Sequence, residues 1–113
     1  MGNVTESTTE RFIRLYSQEI AERFQPDRII LFGSHARGDS HATSDVDLLV
    51  IMPVEGRTTD KAIRILLETR PMFAVALLVR TPQEVETRVA AGDFFLRDIL
   101  KEAGCCMTPL TEE

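Results

Sequence analysis

Two acidic residues, Asp45 and Asp47, stand two positions apart at the start of an apolar run. Side chains at positions i and i+2 of a β-strand lie on the same face, so the two carboxylates are expected to project together. Burying two like charges side by side is costly, and a bound divalent cation is the usual compensation. Because oxygen ligands favour Mg²⁺, with Mn²⁺ as the alternative, over zinc, the pair predicts a magnesium site.

A Gly-Ser turn, Gly33-Ser34, directly follows a second apolar run, Arg28 to Phe32. Glycine lets the backbone approach a ligand closely, and the N–H groups of such a turn form a concavity that binds anions. Ser34 adds a hydroxyl donor, while Arg37 either meets phosphate charge or pairs with a local carboxylate to hold the loop. Together with the carboxylate pair, the turn predicts a site for a magnesium-bound polyphosphate.

The spacing of the two motifs resembles a known signature. Gly33-Ser34, ten intervening residues and then Asp45-x-Asp47 are similar to the GSx10DxD pattern of the minimal nucleotidyltransferases, which belong to the polymerase-β superfamily. The segment Thr81-Pro82-x-Glu84 strengthens the resemblance, which extends over nearly the whole chain.

This resemblance implies transfer of a nucleoside monophosphate, expected to be AMP from Mg-ATP, to an acceptor with release of pyrophosphate. Gly33 and Ser34 would then bind the outer phosphates, and Asp45 and Asp47 would be the catalytic, metal-holding residues. Similar stand-alone domains are antitoxins that modify a HEPN-family toxin. The expected partners are therefore a nucleoside triphosphate and such a toxin, or another helical protein.

The sequence departs from the family at one position, Ala76. Family members typically carry a third acidic residue about five positions before a Thr-Pro pair, and counting back from Thr81 gives an alanine. The resemblance therefore leaves several alternatives open: a slow enzyme, an acceptor that supplies the missing group, or a module that binds nucleotide or toxin without catalysis. A further alternative is the catalytic half of a small-molecule transferase, such as an antibiotic adenylyltransferase.

The pattern of apolar residues predicts an α/β domain in which helices pack on a small mixed sheet of three to four strands. We expect the inner face of one helix to carry Ala62, Ile63, Leu66 and Leu67. A last helix is expected to place the cluster Phe94 to Leu96, with Ile99 and Leu100, in the core. Alternatively, part of that cluster is a surface that binds a partner. The predicted helices are Ser7 to Phe24, Thr58 to Arg70, one that starts at the Thr81 capping box, and Asp93 to Ala103; the predicted strands are Arg28 to Phe32, Val46 to Met52 and Phe73 to Val79.

Length and composition limit the number of domains, the class of partner and the location of the chain. With 113 residues, 43% of them hydrophobic, the chain is expected to form a single domain over residues 1–113, with a core of about 7–104 and a frayed C-terminal tail. A net charge of −5 without a basic run argues against long nucleic acids as partners. No apolar run reaches membrane-spanning length and the N-terminus is polar, so a cytoplasmic location without membrane binding is expected. Cys105 and Cys106 are expected to be reduced, small apolar residues.

Overall fold

A computed structural model describes residues 8–33, 45–102 and 105–107 of the chain. No helix in this described part is long and apolar enough to cross a membrane. The predicted α/β class is confirmed, because helices and strands alternate along the chain: α1 (Thr8–Phe24), β1 (Arg28–Phe32), β2 (Val46–Ile51), α2 (Thr58–Thr69), β3 (Val75–Arg80), α3 (Pro82–Ala90), α4 (Phe94–Glu102) and β4 (Cys105–Met107).

The sheet is mixed and four-stranded, with the order β3-β2-β1-β4. Strand β1 pairs antiparallel with both β2 and β4, whereas β2 pairs parallel with β3. A parallel pair requires a crossover connection, and α2 provides it. The tail from Met107 to Glu113 was expected to fray unless it added an edge strand. Cys105–Met107 forms an edge strand that includes the first residue of this tail, and residues 108–113 lie outside the described part.

The two faces of the sheet bury separate apolar clusters, as the period of two along each strand requires. On one face Ile29, Leu48 and Val50 pack against α1 and α2, which contribute Ile13, Tyr16, Ile20, Ala62 and Ile65. On the other face Ile30, Leu49 and Ile51 pack against Leu96 and Ile99 of α4, with Val85 and Val89 of α3 at the margin. The central strand β2 is therefore covered on both sides along its apolar part.

Helix α2 turns a different face to the sheet than the one expected. Its buried residues are Ala62, Ile65 and Thr69, whereas Ile63 and Leu67 are exposed. The spacing of apolar residues alone pointed to the wrong face, because it does not include Thr69, which is buried. Its hydroxyl donates to the Ile65 carbonyl at 2.6 Å and lies 2.7 Å from the Tyr16 hydroxyl, so it is buried without losing its hydrogen bonds.

Two further expectations need correction. Strand β3 begins at Val75 rather than at Phe73, because its ladder with β2 starts where Val46 pairs with Val75. The Phe73 ring instead packs edge-on against Tyr16, with 5.6 Å between the centroids. In α4, Leu96 and Ile99 are core residues as expected, but Phe94 and Phe95 are exposed. The side chain of Leu100 lies outside the described part, as do those of the two cysteines.

The capping box predicted before α3 is confirmed. The Glu84 N–H donates to Thr81 Oγ1 at 3.0 Å, and the Thr81 N–H donates to Glu84 Oε1 at 2.9 Å, with Pro82 at the first helical position. These two bonds satisfy backbone donors that the helix itself leaves open. The corresponding box expected for α1 begins at Ser7, outside the described residues.

Candidate functional site

The two carboxylates lie where the central strand begins. Asp47 is the second residue of β2 and is half-buried, while Asp45 immediately precedes the strand and is exposed. Val46 and Leu48 belong to the core under α1 and α2. Since side chains alternate along the strand, Asp47 lies on the opposite face, the one that α3 and α4 cover further along.

Asp47 is the middle member of a row that crosses three strands. Its partner in β1 is Phe32, and its partner in β3 is Ala76. Paired residues of neighbouring strands share a face of the sheet, so these three side chains lie side by side. Ala76 is exposed, which means that the position expected for a third carboxylate opens to solvent beside Asp47.

Gly33, directly after β1, lies against the Asp47 side chain. A Cβ atom placed on Gly33 would collide with Asp47 Oδ2 and would lie 3.1 Å from Asp47 Cγ. The residue also has a φ of +80°, a conformation that side-chain-bearing residues rarely adopt. The sequence predicted this glycine as a place for a ligand to approach; the structure adds that the same missing side chain makes room for the carboxylate.

The arrangement suits an oxygen-coordinated cation that arrives with its own oxygen ligands. In residues 8–33, 45–102 and 105–107, no group of three or more His, Cys, Asp or Glu side chains is placed to hold a metal. A pair of carboxylates at the open end of a central strand fits magnesium, which keeps several waters and is commonly bound by one or two carboxylates together with substrate phosphates. Asp45 and Asp47 are the residues that would hold it.

The other two predicted site residues, Ser34 and Arg37, lie outside the described residues. Their roles therefore stay predictions. Gly33, the residue before Ser34, follows the last residue of β1 and lies against the Asp47 side chain.

Sequence reasoning missed an aromatic pair beside Asp47. The ring of Phe95 in α4 packs edge-on against Phe32, with 5.9 Å between the ring centroids. Phe95 was expected in the helix core, yet it is 57% exposed. The only sequence signal was Phe32 itself, an aromatic residue at the end of a strand directly before the glycine of the turn.

Comparison with known proteins defines the class of the domain. Residues 13–104 match the family described as "Nucleotidyltransferase domain". The chain belongs to this family, and the domain class predicted from the sequence is thereby confirmed.

Two relatives from Methanocaldococcus jannaschii add detail. The chain is 37% identical over 46 residues to a protein named "Putative protein adenylyltransferase MJ1215", and this segment covers 41% of the chain and 54% of that relative. It is 35% identical over 46 residues to "Putative protein adenylyltransferase MJ0126", covering 41% of the chain and 47% of the relative. The matched segment thus spans about half the length of each.

A solved structure agrees with the fold. The crystal structure of a protein titled "putative nucleotidyltransferase" from Sulfolobus solfataricus superimposes with a TM-score of 0.63, covering 98% of this chain and 95% of that one. Its sequence identity of 20% supports the shared fold and no finer conclusion.

Proposed function

We propose that this domain transfers a nucleoside monophosphate, AMP from Mg-ATP, to a protein acceptor. The observation that carries the proposal is the contact between Gly33 and the Asp47 carboxylate, within a domain of the nucleotidyltransferase family. This contact joins the end of β1 to the carboxylate pair that begins β2. The names of the two archaeal relatives support a protein as acceptor.

Each site residue has a defined task in this proposal. The backbone N–H groups that follow Gly33, together with the Ser34 hydroxyl and the Arg37 guanidinium, would bind the outer phosphates of the nucleotide. Asp45 and Asp47 would hold magnesium against the triphosphate. Bound magnesium supplies charge neutralisation on the phosphoryl oxygens and on the pyrophosphate leaving group. Positioning by the rigid end of the sheet accounts for much of the remaining rate.

The acceptor must be activated without help from β3. Ala76 carries no ionisable group, although it lies directly beside Asp47 and is exposed. A general base typically contributes about 10²–10⁴-fold in rate, so the isolated domain is expected to be slow. An acceptor protein that brings its own carboxylate to this open position would restore the lost rate of transfer.

We further propose that the acceptor is a toxin of the HEPN class, or another helical protein, and that the domain acts as its antitoxin in the cytoplasm. Modification of such a partner suits a small domain, because one core of this size leaves little room for a second substrate-binding layer. The partner would supply that layer.

The pairing of Asp47 with Ala76 also favours a second function, a binding module without catalysis. Two carboxylates suffice to hold one magnesium–triphosphate, while the third position offers nothing to activate an acceptor. In this second function the domain neutralises its partner by binding to it and occluding it, and the bound nucleotide is a structural ligand.

One experiment separates these functions. The domain is incubated with Mg²⁺ and ATP labelled in the α-phosphate, with and without the product of the adjacent gene, beside an Asp45→Ala/Asp47→Ala variant whose fold is checked by circular dichroism. Label on the partner that disappears in the variant supports protein adenylylation. Nucleotide binding without label, on an intact bound partner, would contradict it and support the binding module. Label on an added aminoglycoside alone would instead identify an antibiotic adenylyltransferase.

A further inference from the structure

The site is bordered by an exposed aromatic ring. Phe32 is the partner of Asp47 in the antiparallel ladder, and the Phe95 ring packs edge-on against Phe32 at 5.9 Å. An edge-on arrangement uses the face of only one of the two rings, and Phe95 remains 57% exposed. A large apolar ring is therefore presented to solvent one side chain away from the carboxylate pair.

The position of this ring is fixed by the way α4 begins. Asp93 Oδ1 accepts from the Leu96 N–H at 3.1 Å, and the other carboxylate oxygen pairs with Arg88 at 3.6 Å. Leu96 and Ile99, the neighbours of Phe95 along the helix, are buried against the sheet. Phe95 thus projects from a helix that is tied both to α3 and to the core, which makes its ring a pre-positioned surface.

The adjacent ring, Phe94, has a different environment. It is 70% exposed, and the Arg97 guanidinium lies 5.8 Å from its centroid in a cation–π contact. Phe94 therefore provides a matched comparison, since it has the same side chain on the same helix and no ring contact with Phe32 is found among the described residues.

We propose that Phe95 is the platform on which the base of the bound nucleotide stacks, with Phe32 holding the ring in place. The inference rests on the proposed function, because a base has a reason to lie here only if the triphosphate is held at Gly33 and Asp47. Phe32 is at once the strand partner of Asp47 and the ring that supports Phe95, so the platform and the metal site share one row of the sheet.

Stacking on a phenylalanine ring determines which ligands fit. Every nucleobase has a π-face, so a platform of this kind accepts different bases and reads none of their hydrogen-bonding edges. The ligand class is accordingly a nucleoside triphosphate. Inorganic tripolyphosphate would occupy the metal site and leave the platform empty.

Calorimetric titration with Mg²⁺ tests this assignment. Phe95→Ala should weaken ATP binding about tenfold and leave tripolyphosphate binding unchanged, because base stacking contributes to the first ligand alone. Phe94→Ala, and Leu67→Ala on the opposite side of the sheet, should change neither affinity. Equal weakening of both ligands by Phe95→Ala, or no weakening of either, would overturn the proposal.

A fluorescence measurement covers the case in which truncation disturbs the helix. The chain contains no tryptophan, so Phe95→Trp introduces a single reporter that keeps an aromatic ring at this position. Titration with Mg-ATP should change its emission, while tripolyphosphate should not, and Phe94→Trp should respond weakly to both. A Phe95→Trp protein that binds ATP without an emission change would contradict the stacking role.

The results also separate this inference from the function on which it rests. If wild-type protein binds neither ATP nor tripolyphosphate in Mg²⁺, the proposed function fails and the platform fails with it. If both ligands bind and Phe95→Ala affects only the labelling of a protein acceptor, the proposed function stands. Phe95 is then an acceptor contact, and the base platform is wrong.

Discussion

Asp47 and Ala76 are direct partners in the parallel ladder between β2 and β3. Their side chains share one face of the sheet, and Ala76 is exposed. The position at which the resemblance predicts a third acidic residue therefore lies directly beside Asp47, with a methyl group where a carboxylate is expected. A single substitution at Ala76 is enough to test how far the missing carboxylate lowers the rate of AMP transfer.

Ala76→Asp is predicted to raise the rate of AMP transfer by about 10²–10⁴-fold, the range that a general base contributes. The new carboxylate would lie beside Asp47 at an exposed position, so little is lost from the core. The rate is measured as label transferred from α-labelled ATP to the acceptor under saturating Mg²⁺.

Ala76→Asn is the matched control, because it has nearly the same shape without the charge or the basicity. It should leave the rate within about twofold of wild type. Equal acceleration by both variants would show that bulk rather than a carboxylate matters at this position, and no acceleration in a folded Ala76→Asp protein would contradict the explanation of the slow rate.

Gly33→Ala is predicted to weaken Mg-ATP binding severely, by tenfold or more. The added methyl group would occupy the space of Asp47 Oδ2, so the carboxylate must move away from its position. The positive φ adds a backbone strain of about 1 kcal/mol to the free energy of folding.

Gly56→Ala separates these two effects. Gly56 also has a positive φ, +95°, but a Cβ placed there meets nothing within 4 Å. Both variants should therefore lose stability to backbone strain in urea unfolding, with a further loss in Gly33→Ala from the collision, whereas only Gly33→Ala should lose nucleotide affinity. Equal affinity in both variants would mean that the contact with Asp47 has no role in binding.

Tyr16→Phe is predicted to destabilise the fold by about 1–2 kcal/mol. Thr69 gives its hydroxyl hydrogen to the Ile65 carbonyl, so the buried Tyr16 hydroxyl must donate to Thr69 Oγ1, and the variant leaves that oxygen with one acceptor site unsatisfied. The stability loss is read from urea midpoints near pH 8.

The same pair predicts a dependence on alkaline pH. Burial raises the pKa of the Tyr16 phenol above its ordinary value of 10.0; the hydrogen bond with Thr69 opposes this shift, and the Glu19 carboxylate adds to it. A raised pKa in the folded state means that the phenol loses its proton first in the unfolded chain. The contribution of the Tyr16 phenol to the free energy of unfolding is therefore complete below pH 10 and is lost as the pH rises through the folded pKa. The stability advantage of wild type over Tyr16→Phe should shrink as the pH rises above 10, and a constant difference would contradict the assignment.

Much of the architecture could be predicted because it depends on local signals. The Thr81 capping box, the boundaries of β1 and the alternation of helices and strands follow from residue types at fixed spacings. The placement of Asp47 on the face opposite Val46 and Leu48 likewise follows from the period of a strand. Neither prediction requires knowledge of distant contacts.

The missed features all depend on contacts between distant parts of the chain. Thr69 can be buried because its hydroxyl forms a hydrogen bond with the hydroxyl of Tyr16, a residue 53 positions away in the sequence. The exposure of Phe95 depends on where α4 crosses the sheet, and its packing on Phe32 joins residues that are 63 positions apart (95 − 32) in the sequence. The close approach of Gly33 to the Asp47 side chain likewise depends on the register in which β1 pairs with β2. Periodicity within a segment carries none of this information.

The most direct test of the central claim is calorimetric titration of ATP into wild-type protein and into Asp47→Asn, each with Mg²⁺ and again with excess EDTA. Asparagine keeps the shape of the side chain and removes its charge, so the fold should persist while the metal loses its ligand. The account predicts binding by wild type in Mg²⁺, a loss of at least tenfold in EDTA, and a comparable loss in Asp47→Asn even with Mg²⁺ present. Equal, magnesium-independent ATP affinity in both proteins would contradict a metal–triphosphate site at Asp47.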